Sequence, residues 1–261
     1  MVRVPASRPE HTPSERNFRM NSAAARAEGV TKVYGWGDTR VTALDNLSVA
    51  FTKGEFTAVM GPSGSGKSTL MHCMAGLDSV TEGSVFIGDQ DLSTLSDRQL
   101  TKLRRERIGF IFQAYNLVPT LSASENITLP LDLAGTKVDQ SWFDSVVETL
   151  GVADRLKHRP SELSGGQQQR VAAARAMVSR PELIFADEPS GNLDSRASAD
   201  LLAFLRSAVK EHAQTIVMVT HDANAAGYAD RIVFLADGRV VDSMEDPNPE
   251  RILDRLKSLE Y

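Results

Sequence analysis

The 261-residue chain contains a single cysteine, Cys73, and so cannot form an intrachain disulfide. No apolar run approaches the roughly 20 residues that cross a bilayer as a helix. A channel built from this chain alone is therefore excluded. The N-terminal stretch lacks the apolar h-region of a secretory leader. Together with the lone thiol, that absence sets the expectation of a reducing, cytoplasmic setting. A basic excess is missing too: 29 Lys and Arg face 34 Asp and Glu, for a formal charge of −5. Nucleic-acid binders usually carry a basic domain, so no nucleic-acid partner is expected. With 24% charged and 41% hydrophobic residues, the composition is that of a soluble globular enzyme.

What the chain does have is the run Gly61-Pro62-Ser63-Gly64-Ser65-Gly66-Lys67-Ser68-Thr69. It follows Phe56 to Met60, which reads as a buried strand, and precedes Leu70 to Ala75, which reads as a helix. Strand, glycine-rich loop and Gly-Lys-Ser at a helix start make a phosphate-binding loop. Gly61, Gly64 and Gly66 let backbone amides turn inward with no Cβ in the way. Those amides and the helix N-terminus face an anion. Lys67 reaches the β- and γ-phosphates as a point charge, and the Ser68 hydroxyl is placed to ligate Mg²⁺.

Further elements follow along the chain. A β-type run, Ile108 to Phe112, ends at Gln113. Leu163-Ser164-Gly165-Gly166-Gln167 opens a helix read as Gln167 to Val178. Its glycines and positive helix end form a second anion site. Asp187 closes the apolar run Leu183 to Ala186, where its carboxylate can hold Mg²⁺. Glu188 follows, and its position beside a phosphate loop favours catalysis over a structural carboxylate. Thr220-His221-Asp222 follows another strand-like run, Thr215 to Val219. His11, His72, His158 and His212 lack such a context. His72 and Cys73 are adjacent on a helix and point in different directions, so helix packing is expected there, with no transition metal.

In this order, from about Ala27 to about Asp242, these elements resemble the ATP-binding-cassette family. The Leu163–Gln167 sequence is that family's own signature. The resemblance implies an α/β fold: a P-loop NTPase core with a mainly parallel sheet, an antiparallel β subdomain and a helical signature subdomain. It implies ATP and Mg²⁺ as cofactors, with Ser68, Gln113 and Asp187 at the metal. Glu188 would polarise the attacking water, His221 would contact the γ-phosphate and orient Glu188, and Gln113 would sense Mg²⁺ and water. In the family the signature acts in trans, so Ser164, Gly165, Gly166 and Gln167 would complete ATP held by another cassette. One P-loop and one signature then imply a homodimer around two ATPs. Asp194, in Asn192-Leu193-Asp194, matches the loop that crosses that interface. Tyr34 stands where the family carries its adenine-stacking aromatic residue, with Trp36 as its rival.

Other local features are Gly109-Phe110-Ile111-Phe112-Gln113 with Asn116-Leu117-Val118-Pro119-Thr120-Leu121, Glu125-Asn126-Ile127 with Leu129-Pro130-Leu131, and Gly191-Asn192-Leu193-Asp194. They resemble the ATPases of lipoprotein release, macrolide or peptide export, cell division and peptide resistance. That resemblance implies a separate permease with an extracytoplasmic domain and a peripheral place on the inner face of the cell membrane. Tyr115, Leu117 and Leu121 are expected to form the groove that receives the permease, and Ile127 and Leu129 to pack inside. Soluble cassette proteins acting on ribosomes or DNA are the alternative. Those typically carry two cassettes or a coiled-coil insertion, and this chain has neither. A small-molecule kinase is disfavoured by the signature.

Three segments are expected. Residues 1–21 read as a disordered extension, 22–245 as the ATPase domain with its helical part at about 114–177, and 246–261 as a C-terminal helix. Asn248 caps that helix, with Pro249 at its first position and Ile252, Leu253, Leu256 and Leu259 on its apolar face. Asp45-Asn46 reads as a turn between two strands, Asp237-Gly238 as a hairpin, and Pro119 and Pro130 as helix breakers.

Overall fold

Short all-apolar runs separated by helices predict a parallel sheet covered on both faces. The computed structural model, which describes residues 23–259, shows that sheet. Its six strands lie in the order β10-β9-β3-β8-β7-β6. They are β3 (Phe56–Met60), β6 (Ile108–Phe112), β7 (Leu183–Asp187), β8 (Ile216–Val219), β9 (Arg231–Ala236) and β10 (Arg239–Glu245). Strands β9, β3, β8, β7 and β6 run parallel; only β10 is antiparallel, joined to β9 by the Asp237-Gly238 hairpin. Both turn residues have positive φ, as a two-residue hairpin requires.

The two-residue period of a strand sends alternate side chains to opposite faces. Ile184 and Ala186 enter one core with Phe56, Ala58 and Met60. Leu183, Phe185 and Val59 enter the other. The first core is roofed by α3 (Ala123–Ala134), α4 (Gln140–Thr149), α5 (Gly165–Met177) and α6 (Ser195–His212). The second is closed by α1 (Lys67–Met74) and a four-stranded antiparallel sheet ordered β2-β1-β4-β5. In that sheet β1 (Ala23–Tyr34) lies between β2 (Val41–Thr52) and β4 (Glu82–Ile87), with β5 (Gln90–Asp91) outermost. The charged helix α2 (Asp97–Arg107) feeds β6. The expected P-loop core, antiparallel subdomain and helical subdomain are all present.

Asp45-Asn46 does not turn the chain. β2 continues through it, and the pairing jumps from Lys32↔Leu44 to Val30↔Leu47. Asn46 has φ +46°, so the extra residue is taken up as a bulge. Pro130 sits inside α3 and does not end it. A mid-helix proline costs about 3 kcal/mol, but the buried Ile127 and Leu131 hold both sides of it in the core. The fully buried Asn126 anchors the same helix: its amide donates to the Val118, Leu121 and Ser122 carbonyls and accepts from the Val118 amide at 2.8 Å.

The C-terminal helix (Pro249–Lys257) begins as expected, with Asn248 accepting from the Arg251 amide at 2.9 Å. Ile252 is buried and Leu256 and Leu259 pack on the core, whereas Leu253 faces outward at 49% exposure. The expected N-terminal extension, residues 1–21, lies outside the described residues.

Candidate active site

Four parallel strands end side by side at one edge of the sheet, where the carboxyl ends of such strands bind ligands. Their ends are in register: Val59 of β3 pairs with Val219, Val219 with Asp187, and Asp187 with Phe112. The residues that follow are the phosphate loop, Thr220-His221, Glu188 and Gln113. One edge thus gathers groups spread over 160 positions of sequence, from Gly61 to His221.

The loop from Gly61 to Gly66 is held from behind. A Cβ on Gly61, at φ +153°, would strike the Leu235 carbonyl, and one on Gly66, at φ +98°, would strike that of Ala43. Glycine is thus required at both for backbone approach as well as conformation. The Gly238 amide ties the loop to the β9–β10 hairpin through the Ser65 carbonyl at 3.1 Å. Gly66 caps α1, whose first residues are Lys67, Ser68 and Thr69. The Lys67 ammonium donates to the Gly61 and Pro62 carbonyls at 2.9 and 2.8 Å, with the buried Ser65 hydroxyl at 3.4 Å. Its pKa is lowered, chiefly by burial, with Glu188 and Asp187 opposing. Ser63, Gly64 and Ser68 are exposed on the outer side.

Asp187 is held above the usual carboxylate range by burial first and by Glu188 second; His72 and Lys67 act in the opposite sense. His72 lies four residues after Ser68 on α1 and therefore on the same face. Glu188 takes φ +45°, a left-handed conformation rare for a side chain of this kind. Its amide donates to the Val219 carbonyl at 2.9 Å. Its Oε1 accepts from the His221 amide at 3.0 Å and lies 2.7 Å from His221 Nδ1, while Oε2 accepts from Thr220 Oγ1 at 3.2 Å. Glu188 is thus aimed by three groups, while the His221 side chain is 77% exposed.

The Gln113 amide donates to Asn192 Oδ1 at 3.5 Å, and Asn192 Nδ2 donates back to the Gln113 carbonyl at 2.9 Å. A Cβ on Gly191 would stand only 2.7 Å from Gln113 Nε2. Behind them the fully buried Gln169 donates to the Pro189 and Phe112 carbonyls. It ties the helix after the signature to both loops. Arg175 binds the Tyr115 and Asn116 carbonyls at 2.8 and 2.6 Å. Those two residues, both at positive φ, turn the chain just after Gln113.

The signature helix starts at Gly165, two residues before the expected Gln167. Ser164 Oγ accepts from the Gln167 amide at 3.3 Å, and Gln167 Oε1 accepts from the Ser164 amide at 3.0 Å. This reciprocal cap satisfies two donors and leaves the Gly165 and Gly166 amides without an intrahelical acceptor. Asp194 likewise caps α6, accepting from the Ala197 amide at 2.9 Å. Gly166 packs against that same turn, where a Cβ would lie 3.3 Å from Ala197. Tyr34 ends β1 at 41% exposure, its hydroxyl donating to Asp78 at 2.6 Å; Trp36 projects outward at 91% exposure.

Sequence reading missed Thr220, Gln169, Arg175 and the Asn192–Gln113 pairing. Thr220 and Asn192 lie inside quoted motifs. Nothing in the sequence singles out Gln169 or Arg175, whose partners are carbonyls distant along the chain. Of the three expected groove residues, Leu117 packs against the core, and Tyr115 and Leu121 are half-buried. Ile127 is buried and Leu129 half-buried. The large apolar side chain that α3 exposes is Leu133, at 61%, which the sequence did not mark.

Residues 44–191 match the family model described as ABC transporter. An ABC transporter ATP-binding protein of Methanocaldococcus jannaschii, MJ0796, is 43% identical over 82% of this chain and 94% of its own length. The lipoprotein-releasing system ATP-binding protein LolD of Geobacter metallireducens is 45% identical over 81% of this chain and 95% of its own. The solved dimeric structure of MJ0796, a bacterial ABC transporter cassette, superposes with TM-score 0.78 at 40% identity, covering 86% of this chain and 99% of that one. Family model, relatives and fold agree with the phosphate loop, the strand-end carboxylates and the signature helix: the chain belongs to the ABC transporter family, as one of its ATPase cassettes.

Proposed function

We propose that the chain binds ATP with Mg²⁺, pairs with a second copy around two ATPs, and uses their hydrolysis to drive a separate membrane permease. The observation that carries this reading is Glu188, held by Thr220 and His221 at the strand edge beside the phosphate loop. A carboxylate so aimed takes a proton from water attacking a γ-phosphate. His221, the outer of its partners, orients Glu188 and reaches the phosphate. Lys67 and the loop amides hold the β- and γ-phosphates.

The donor set fits Mg²⁺. Ser68, Gln113 and Asp187 offer a hydroxyl, an amide and a carboxylate, all hard oxygen ligands. Among the described residues no group of three or more His, Cys, Asp or Glu forms a metal cluster. Such a site is completed by phosphate oxygens and water. When bound, the ion would offset phosphate charge in the transition state.

Two further observations support the partners. MJ0796 has been solved as a dimer bound to ADP and Pi. The macrolide export ATP-binding/permease protein MacB of Vibrio parahaemolyticus is 43% identical to this chain, which spans 34% of its length. No helix among the described residues is long and apolar enough to cross a membrane. The cassette would then lie against the inner face of the membrane. An extracytoplasmic domain on the permease follows the exporter group the motifs resemble; the stroke would serve export or mechanical transmission, and no residue here names the cargo.

Two variants separate binding from chemistry. Lys67→Ala should weaken ATP binding by about 10- to 100-fold and abolish turnover. Glu188→Gln should bind ATP as the wild type does, with turnover down by about 10²- to 10⁴-fold. Parallel calorimetric and phosphate-release assays measure both. Full turnover by Glu188→Gln removes its assigned role.

A further inference from the structure

We infer that Asp78 and Lys32 position the Tyr34 ring as a fixed platform for the nucleotide base. The inference rests on the reading of Tyr34 as the base-stacking residue and adds what holds it. Lys32 and Tyr34 lie two residues apart on β1 and so share a face of the strand. Asp78 comes from the segment after α1, where its amide donates to the His72 carbonyl at 3.2 Å. One carboxylate bridges the two: Oδ1 accepts from Lys32 Nζ at 2.6 Å, and Oδ2 from the Tyr34 hydroxyl at 2.6 Å. Lys32 Nζ also donates to the Ser79 carbonyl at 2.6 Å. Lys32 is only 7% exposed, and a buried ammonium needs such partners.

The ammonium stands 4.8 Å from the centroid of the Tyr34 ring, within cation–π range. A cation thus backs the ring, while the side chain keeps 41% of its surface in solvent. The cation draws ring electron density toward itself and leaves the opposite face better suited to an electron-rich purine. The phenol is fixed as well, since swinging the ring out breaks a charge-assisted hydrogen bond. Its pKa is raised by burial and by Asp78, with Thr69 acting the other way, so it remains a donor. Thr69 belongs to the first turn of α1, beside Lys67 and Ser68. Through the bond of the Asp78 amide to the His72 carbonyl, the ring is referenced to the helix that carries Lys67 and Ser68. A base stacking on it finds one rotamer in place and loses less entropy than with a free side chain.

The test compares ATP with inorganic tripolyphosphate, which has the phosphates but no base. Equilibrium affinities are measured for the full chain and for Tyr34→Phe, Asp78→Ala, their double variant and Tyr34→Ala. Tyr34→Phe and Asp78→Ala should each weaken ATP by about 3- to 10-fold. Tripolyphosphate affinity should not change. The double variant should be no weaker than the weaker single, because Asp78→Ala already removes the bond that Tyr34→Phe removes. Tyr34→Phe leaves the Lys32–Asp78 pair intact, so it decides alone should Asp78→Ala fail to fold. Tripolyphosphate weakened as much as ATP, or additive losses in the double variant, would overturn the inference. So would wild-type ATP affinity in Tyr34→Phe when Tyr34→Ala binds weakly; stacking would then stand without the clamp. Unchanged ATP affinity in Tyr34→Ala would remove the stacking reading itself.

Discussion

Two glycine-containing loops in this chain each lead into a helix, and they are finished differently. Around Gly61–Gly66 the fold gathers a cation, two carboxylates, an amide and an imidazole. Lys67 sits over the loop carbonyls, and Asp187, Glu188, Gln113 and His221 stand at neighbouring strand ends. At Ser164–Gly166 the side chains close on themselves: Ser164 and Gln167 form a mutual cap, and Tyr115 and Ala197 pack beside the two glycines. Among the described residues, no charged side chain hydrogen-bonds to Ser164, Gly165 or Gly166. A helix N-terminus with spare amides and, among the described residues, no charged partner suits an anion brought from outside the chain. On our proposal the first loop holds the nucleotide within its own chain, and the second would gain its partner when another copy brings a phosphate to it.

Damage to the two loops should therefore fail in different ways. Ser164→Arg fills the signature with a bulky cation and removes its cap. Turnover should drop by about 10²-fold, while ATP binding to the loop of the same chain remains. Loss of ATP binding equal to that of Lys67→Ala would place both loops in one site and break the distinction. A smaller effect belongs to the surface beside the second loop. Leu121→Asp and Leu133→Asp should lower co-purification with the proposed permease by about tenfold, the scale of one or two interface contacts. ATP affinity of the isolated chain should stay the same. Normal coupling in both variants would put the docking surface elsewhere.

The smallest effect is on stability and concerns Asp187. Its folded pKa lies above its unfolded value because burial and Glu188 disfavour its charge. Below the unfolded pKa both states are protonated and the site costs nothing. As pH rises through the folded pKa, the charge becomes a penalty on the folded state. Asp187→Asn should therefore raise Tm at neutral pH, and the gain should shrink as pH falls toward about 4, the ordinary carboxylate range. Turnover should fall in the same variant, since stabilising an active site commonly costs function. A Tm gain that persists unchanged at low pH would mean packing, and not charge, is responsible.

Much of the site was legible because strand ends and loops are contiguous in sequence. The apolar run before Asp187 and the glycines before Lys67 carry their geometry with them. What escaped were contacts made across the fold. Thr220 lies within a quoted motif, but its hold on Glu188 depends on the β7–β8 pairing. Asp78 stands 44 residues from Tyr34, and no local pattern joins them. The Asp45-Asn46 bulge and the helical Pro130 were misread for a related reason. Local turn and breaker signals pointed one way, and continued β1–β2 pairing in one case and core burial of Ile127 and Leu131 in the other overrode them.

The proposal that the second loop completes a site on another copy is tested most directly by the mass of Glu188→Gln in solution. With hydrolysis blocked, ATP should clamp two chains together. Light scattering after size-exclusion chromatography with ATP and Mg²⁺ should report twice the 28.4 kDa chain, with two ATPs per pair, and the single chain when nucleotide is left out. A Glu188→Gln protein that binds ATP tightly yet stays at the mass of one chain at every concentration would contradict the account.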